Sequence, residues 1–190
     1  KVYLQASSDP NLRGLLVEVD AGGKAWNQAT GQISSTTGNV SLVGMAVNQD
    51  GRISATTSVK ANGSVRLLAR DTVKTVNTGS GVQVSTSQSG SVHLGAGSTT
   101  EVTPDASDTT LAVDELAQAP STVAVLGHDI TVHGGATVRA PGGTVALTAL
   151  PDPGVTTPTE GKPLPADASS VIRLESGSVI DVAGSSATAP

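Results

Sequence analysis

The sequence predicts an all-β chain of 190 residues wound as a solenoid of stacked parallel coils. A short phrase recurs along the chain, its residues alternate with a period of two, and there is one Trp, one Tyr and no Phe. The phrase reads Gly, small polar, Val, any, Leu, any, Ala or Gly. It occupies 38–44, 63–69, 90–96 and 143–149, and weaker copies begin at Val2, Val123 and Ile172. Without aromatic rings, which bury the most area per side chain, the interior must be narrow and filled by small aliphatic groups.

From Val40 onward the phrases start at Val40, Val65, Val92, Val123, Val145 and Ile172, in steps of 25, 27, 31, 22 and 27 residues. A period in the twenties with alternation inside each unit is the mark of coils that contain short strands. Within a phrase Val, Leu and Ala share one face, while Ser41, Arg66, His93 and Thr148 point the other way. The glycine two residues before each Val is expected to make a tight turn through a positive φ. Second strands precede the first: Ile33 lies seven residues before Val40, Val138 seven before Val145 and Val84 eight before Val92. Ile53 stands twelve before Val65, so 56–62 reads as a lengthened corner. Each coil presents an apolar edge that only the next can cover, through parallel backbone pairing and ladders of Val on Val and Leu on Leu. Counting every copy gives about seven coils, roughly 30–35 Å of stack at ~4.8 Å per strand. Parallel crossovers predict a right-handed winding.

Two stretches break the rhythm of what is otherwise one domain, 1–190. Residues 104–120 begin and end with Pro and contain a Leu- and Ala-bearing centre that suits one or two turns of helix. Residues 151–168 hold five of the ten prolines and cannot form a ladder strand, because Pro has no amide donor. Both are expected as loops inserted into the scaffold, the usual place for binding contacts.

The totals exclude several function classes. A net charge of −5 without clustered Lys and Arg or stacking aromatics argues against nucleic acid. No apolar run approaches the ~20 residues that span a bilayer, so no stable membrane insertion is expected. Cysteine is absent, which removes disulfides and thiolate metal sites and suits a chain exported unfolded. The chain opens on Lys1 with neither an initiator Met nor a signal peptide, which predicts a piece of something longer.

Motifs with chemical content are few. His128, Asp129 and His133 are metal-ligand types, but parity sets His128 on the face of Ile130 and Val132 and His133 on the face of Asp129 and Thr131. His93 takes an outward position of the repeat. Asp105, Asp108, Asp114 and Glu115 cluster in the first insertion; the nonapeptide of calcium-binding β-rolls and the twelve-residue EF-hand pattern are both missing, so solvated loop charge is the expectation. Glycine pairs at 79–81 and 95–97 lack the helix and lysine of a phosphate loop. Asn39-Val40-Ser41 and Asn62-Gly63-Ser64 match the glycosylation pattern, but both fall on the repeat's turn-to-strand junction. No serine sits in a nucleophile elbow and no carboxylate pair is aligned on an outward groove. No catalytic residue, cofactor site or metal site is therefore assigned.

The phrases at 31–42, 53–71, 129–149 and 177–186 closely resemble segments of the large filamentous-haemagglutinin-type exoproteins of Gram-negative bacteria. The resemblance covers most of residues 28–186 and lies in scaffold phrases. It implies a right-handed parallel β-helix of about seven coils with two loop insertions, secreted to the extracellular bacterial cell surface through an outer-membrane two-partner secretion transporter. It implies a structural rod or adhesin that meets a host-cell or bacterial surface receptor or glycan. Two alternatives stay open: the stalk of a contact-dependent growth inhibition toxin, and a β-helix polysaccharide-processing enzyme. The second is disfavoured by the lack of aromatic platforms, and a non-enzymatic role is expected.

Overall fold

The computed structural model describes residues 2–5, 14–19, 23–58, 62–70, 74–78, 81–85, 90–109, 120–151 and 169–184. Among them are strands and turns and no helix. A first strand, β1 (Val2–Gln5), is followed by circuits of three. The first is β2 (Gly14–Val19), β3 (Lys24–Asn27) and β4 (Gln32–Ser35). The second is β5 (Asn39–Gly44), β6 (Ala46–Gln49) and β7 (Arg52–Thr57). The third begins with β8 (Ser64–Ala69), detours through β9 (Lys74–Thr78) and β10 (Gly81–Ser85), and resumes with β11 (Ser91–Leu94) and β12 (Thr99–Pro104). The fourth is β13 (Thr122–Gly127), β14 (Asp129–Val132) and β15 (Thr137–Arg139), and the fifth is β16 (Thr144–Ala149), β17 (Val171–Leu174) and β18 (Val179–Asp181).

Each circuit gives one strand to each of three sheets. Sheet A runs β1-β2-β5-β8-β13-β16, sheet B runs β3-β6-β11-β14-β17 and sheet C runs β4-β7-β12-β15-β18. Every pairing between circuits is parallel, whereas β1 lies antiparallel on β2 and β9 on β10. The result is all-β with parallel sheets, consistent with a β-helix.

Register explains the core. Val40, Val65, Val123 and Val145 are successive partners in sheet A, and Val17, Leu42, Leu67, Val125 and Leu147 form the next rung. In sheet B the series is Ala25, Val47, Val92, Ile130 and Ile172; in sheet C it is Ile33, Ile53, Thr100, Val138 and Ile180. From the second to the fourth circuit these side chains are buried in a common interior. Each Leu or Ile so enclosed contributes about 1.5–3 kcal/mol. In the fifth circuit Ile172, Leu174 and Ile180 occupy the same inward positions yet are 43%, 53% and 39% exposed, against 0% for their partners Ile130, Val132 and Val138. An inward residue is thus sealed by the circuits on both sides.

The structure corrects the sequence reading in four places. Val92 and Ile172 lie in sheet B, beside Val47 and Ile130, so they belong to the circuits of Val65 and Val145 and are not separate rungs above them. The copy at Val2 is the antiparallel edge strand, and the described strands complete the A, B, C order five times. Val84 is in the β9–β10 hairpin, an insertion at the A-to-B corner that alternation alone mimics as a rung. The phrase glycines Gly63, Gly90 and Gly143 do not have positive φ; a Cβ there would run into the carbonyls of Thr56, Ala69 and Ser121, so close backbone approach excludes a side chain. Positive φ is found instead at Thr37 and Gly142, each just before a phrase glycine, with values of 49° and 66°, and at Gly97, Gly135 and Gly177, with values of 75°, 81° and 83°. Gly97, Gly135 and Gly177 are the third residues of stacked turns closed by Ser98 N–H to Gly95 O, Ala136 N–H to His133 O and Ser178 N–H to Glu175 O. The helical turns expected within 104–120 fall on 110–119, and most of 151–168 likewise lies outside the described residues.

Sheet A is also less one-sided than alternation implies. β5 is buried along all six residues, so outward Ser41 is enclosed, while Arg66 beside it is half-buried.

Two outcomes are expected in thermal unfolding. Leu67→Asp places a carboxylate among fully buried Leu42 and Val125 and should cost well over 3 kcal/mol, whereas Arg66→Asp should cost about 1 kcal/mol or less; equal losses would contradict the assigned faces. Thr100 is fully buried between Ile53 and Val138, and its hydroxyl makes no hydrogen bond. Thr100→Val keeps the shape and removes an orphaned polar group, so it should raise stability by about 1 kcal/mol.

Candidate functional site

The interior is committed to packing, so functional groups must stand on the outside. Sheet B carries the richest outer row. Its register aligns Trp26, Asn48, His93, Thr131 and Arg173 on five successive strands, with Lys24 and Asp129 on one flank. Asp50, His133 and Glu175 follow the strands on the other flank, where backbone bonds Asp50 N–H to Asn27 O, His133 N–H to Leu94 O and Glu175 N–H to Val132 O continue the ladder.

At the first-circuit end, Trp26 is 56% exposed because β3 turns Ala25 and Asn27 inward. Its indole Nε1–H donates to Asp50 Oδ2 at 2.6 Å, and the Lys24 ammonium stands 5.9 Å from the ring centroid. Farther along, the His93 and His133 rings stack with centroids 5.8 Å apart and planes inclined by 17°. His133 Nδ1 lies 3.1 Å from Glu175 Oε2, which also accepts from Gly134 N–H at 3.2 Å.

The outer face of sheet C is a charge ladder. Arg52 pairs with Glu101, which sits in register with Arg139, whose Nε lies 3.2 Å from Asp181 Oδ2. Signs alternate from strand to strand, so the row neutralises itself and leaves no field to draw a charged ligand.

Beneath the B-to-C corner runs a buried polar ladder. Asn27 Nδ2 donates to Gln49 Oε1 at 2.7 Å, and Gln49 Nε2 donates to Gly51 O and Thr99 O, each at 3.0 Å. These amides satisfy carbonyls where the turn is too abrupt for strand pairing.

The sequence candidates separate in space. His128 Nδ1 faces Asp129 Oδ2 at 2.9 Å and its Nε2 faces Ser169 Oγ at 3.1 Å, whereas His133 joins His93 and Glu175. Among the described residues no group of three or more His, Cys, Asp and Glu side chains can hold a metal ion. Asp105 closes a local turn by accepting from Ser107 N–H and Oγ–H at 2.9 and 2.6 Å; Asp114 and Glu115 lie outside the described residues. Asn39 of the first glycosylation triplet is 8% exposed and accepts from Ser64 Oγ at 2.8 Å, a repeat-to-repeat bond. The His93–His133 stack was not foreseen; the register of Val92 on Ile130 is the signal that would have revealed it.

A scan against protein-family models found no match, and no curated protein and no solved structure matches the chain. Among the described residues no helix is long and apolar enough to cross a membrane.

Glu175 is held below the usual carboxylate range, first by the Gly134 N–H and then by His133. Asp181 is lowered by the Ala183 N–H and then by Arg139. A depressed folded-state pKa stabilises the fold above the ordinary carboxylate pKa, and that stabilisation disappears as pH falls through the lowered value. Urea unfolding followed on acidification should therefore show an acid limb, shallower in Glu175→Gln and Asp181→Asn, with no difference in slope near neutrality.

Proposed function

We propose that this segment is part of the rod of a secreted, cell-surface exoprotein of the filamentous-haemagglutinin type: a right-handed parallel β-helix that leaves the cell by two-partner secretion and contacts a receptor or glycan on another surface. The observation that carries the reading is the parallel A, B, C circuit, repeated in constant register around a mainly aliphatic interior among the described residues. The phrases that resemble that family fall on these rungs. A cysteine-free chain that folds by adding circuits suits export in an unfolded state, because each new circuit needs only the previous one as its template.

The mechanism is interfacial. The shaft supplies stiffness and spacing, while loops at its corners and the outer rows supply contacts. No reaction is assigned: on sheet C the outward Arg52 and Arg139 pair with Glu101 and Asp181, and no outward carboxylate pair stands free of such a partner among those described there.

The test is adhesion of the purified segment to cultured cells and to bacteria, with 104–120 and 151–168 deleted in turn. Saturable adhesion is expected, weakened several-fold by at least one deletion that leaves the melting temperature in place. A segment that adheres to no surface, or that turns over a polysaccharide with saturation, would overturn the proposal.

A further inference from the structure

We infer that the outer row of sheet B, beginning at Trp26, is a binding site for a neutral oligosaccharide that lies along the stack. The chain has a single Trp, and that Trp is outside. Its inward neighbours are Ala25 and Asn27, both buried, so the indole adds nothing to the core. Nor is it free to swing: Asp50 fixes its N–H at 2.6 Å, and Lys24 stands over the ring at 5.9 Å. A large aromatic surface is thus presented to water in one orientation, which lowers the ordering cost of anything that stacks on it.

The surroundings choose the occupant. A protein partner anchored on Trp needs a collar of apolar contacts that excludes water. Here the other exposed large hydrophobic residues described are Val171, Ile172, Leu174, Val179, Ile180 and Val182, all in the fifth circuit and remote from the first-circuit Trp26. The positions in line with Trp26 are instead Asn48, His93, Thr131 and Arg173, polar side chains one strand apart, of which Asn48 and His93 are half-buried, Thr131 is buried and Arg173 is exposed. Four strand spacings make a row of about 19 Å. A pyranose ring is about as long as one such spacing, and it combines an apolar face for the indole with hydroxyls for the polar row.

Charge selects among sugars. Lys24 and Arg173 share the row and its flanks with Asp50, Asp129 and Glu175, the last two lying against His128 and His133, so both signs are interspersed along it. Such a balance offers nothing to sulfated or uronate chains and favours uncharged ones.

The assignment deepens the surface-binding reading and rests on it only for where the sugar is encountered. Because Trp26 is the sole Trp, indole fluorescence reports on this site alone. The segment is titrated with cellotetraose, chitotetraose, mannotetraose and galactotetraose, with trigalacturonate as the acidic comparator. At least one neutral sugar should shift the emission saturably. By calorimetry Trp26→Ala should weaken that sugar by about tenfold or more, Trp26→Phe should retain part of the affinity, and Asp50→Leu should fall between, all at an unchanged melting temperature. Failure of all four neutral sugars, tighter binding of trigalacturonate, or undiminished affinity in Trp26→Ala would overturn the site. A segment that adheres to cells without answering to any of these sugars loses this site and keeps the adhesive role; one that binds a neutral sugar but adheres to nothing does the reverse.

Discussion

Parallel backbone pairing in constant register is the constraint on which everything else hangs. It sets Val65 on Val40 and Leu67 on Leu42, and it does so again at Val123 and Val125. Because like sits on like, a small repertoire of aliphatic side chains fills the interior without large rings. In the fifth circuit the inward Ile172 and Leu174 have a described strand on one side and are 43% and 53% exposed. Burial here is a property of layers.

The same constraint organises the outside. Outward residues on successive strands are forced into rows, whatever their chemistry, and the rows differ by sheet. On sheet C the row resolves into alternating Arg and acid, closing on itself. On sheet B it brings His93 of one circuit against His133 of the next and sets Trp26 at the head of a polar line. Residues far apart in sequence become neighbours through register, so one substitution changes what its row can meet.

This explains how much was legible beforehand. Alternation fixes the face of a residue, so Leu67 as core and Arg66 as its outward neighbour follow from the phrase itself. Alternation does not say which strand is the partner. Val92 carries the same phrase as Val65 yet belongs to another sheet, because the β9–β10 hairpin shifts the phase of the third circuit without leaving a break in the pattern. Glycine spacing was visible, but its cause was not: Gly63 and Gly90 are small because a neighbouring carbonyl presses on them, and the left-handed residues are others, among them Gly97 and Gly135 at the B-to-C corner and Gly142 beside Gly143. The His93–His133 stack and the fixing of Trp26 by Asp50 depend on register between circuits, so no local window of sequence contains them.

The Asn27–Gln49 pair gives the stack an origin. Above it the corresponding inward positions are Leu94 and Val132, so the amides match each other and no other level. Were the first circuit to seat one level too high, Asn27 would face a leucine and its amide would go unanswered in a dry interior, a penalty on the order of 1–3 kcal/mol. Uniform aliphatic ladders are indifferent to sliding; this single amide pair acts as a keyway, counting the layers for a chain whose other rungs look alike.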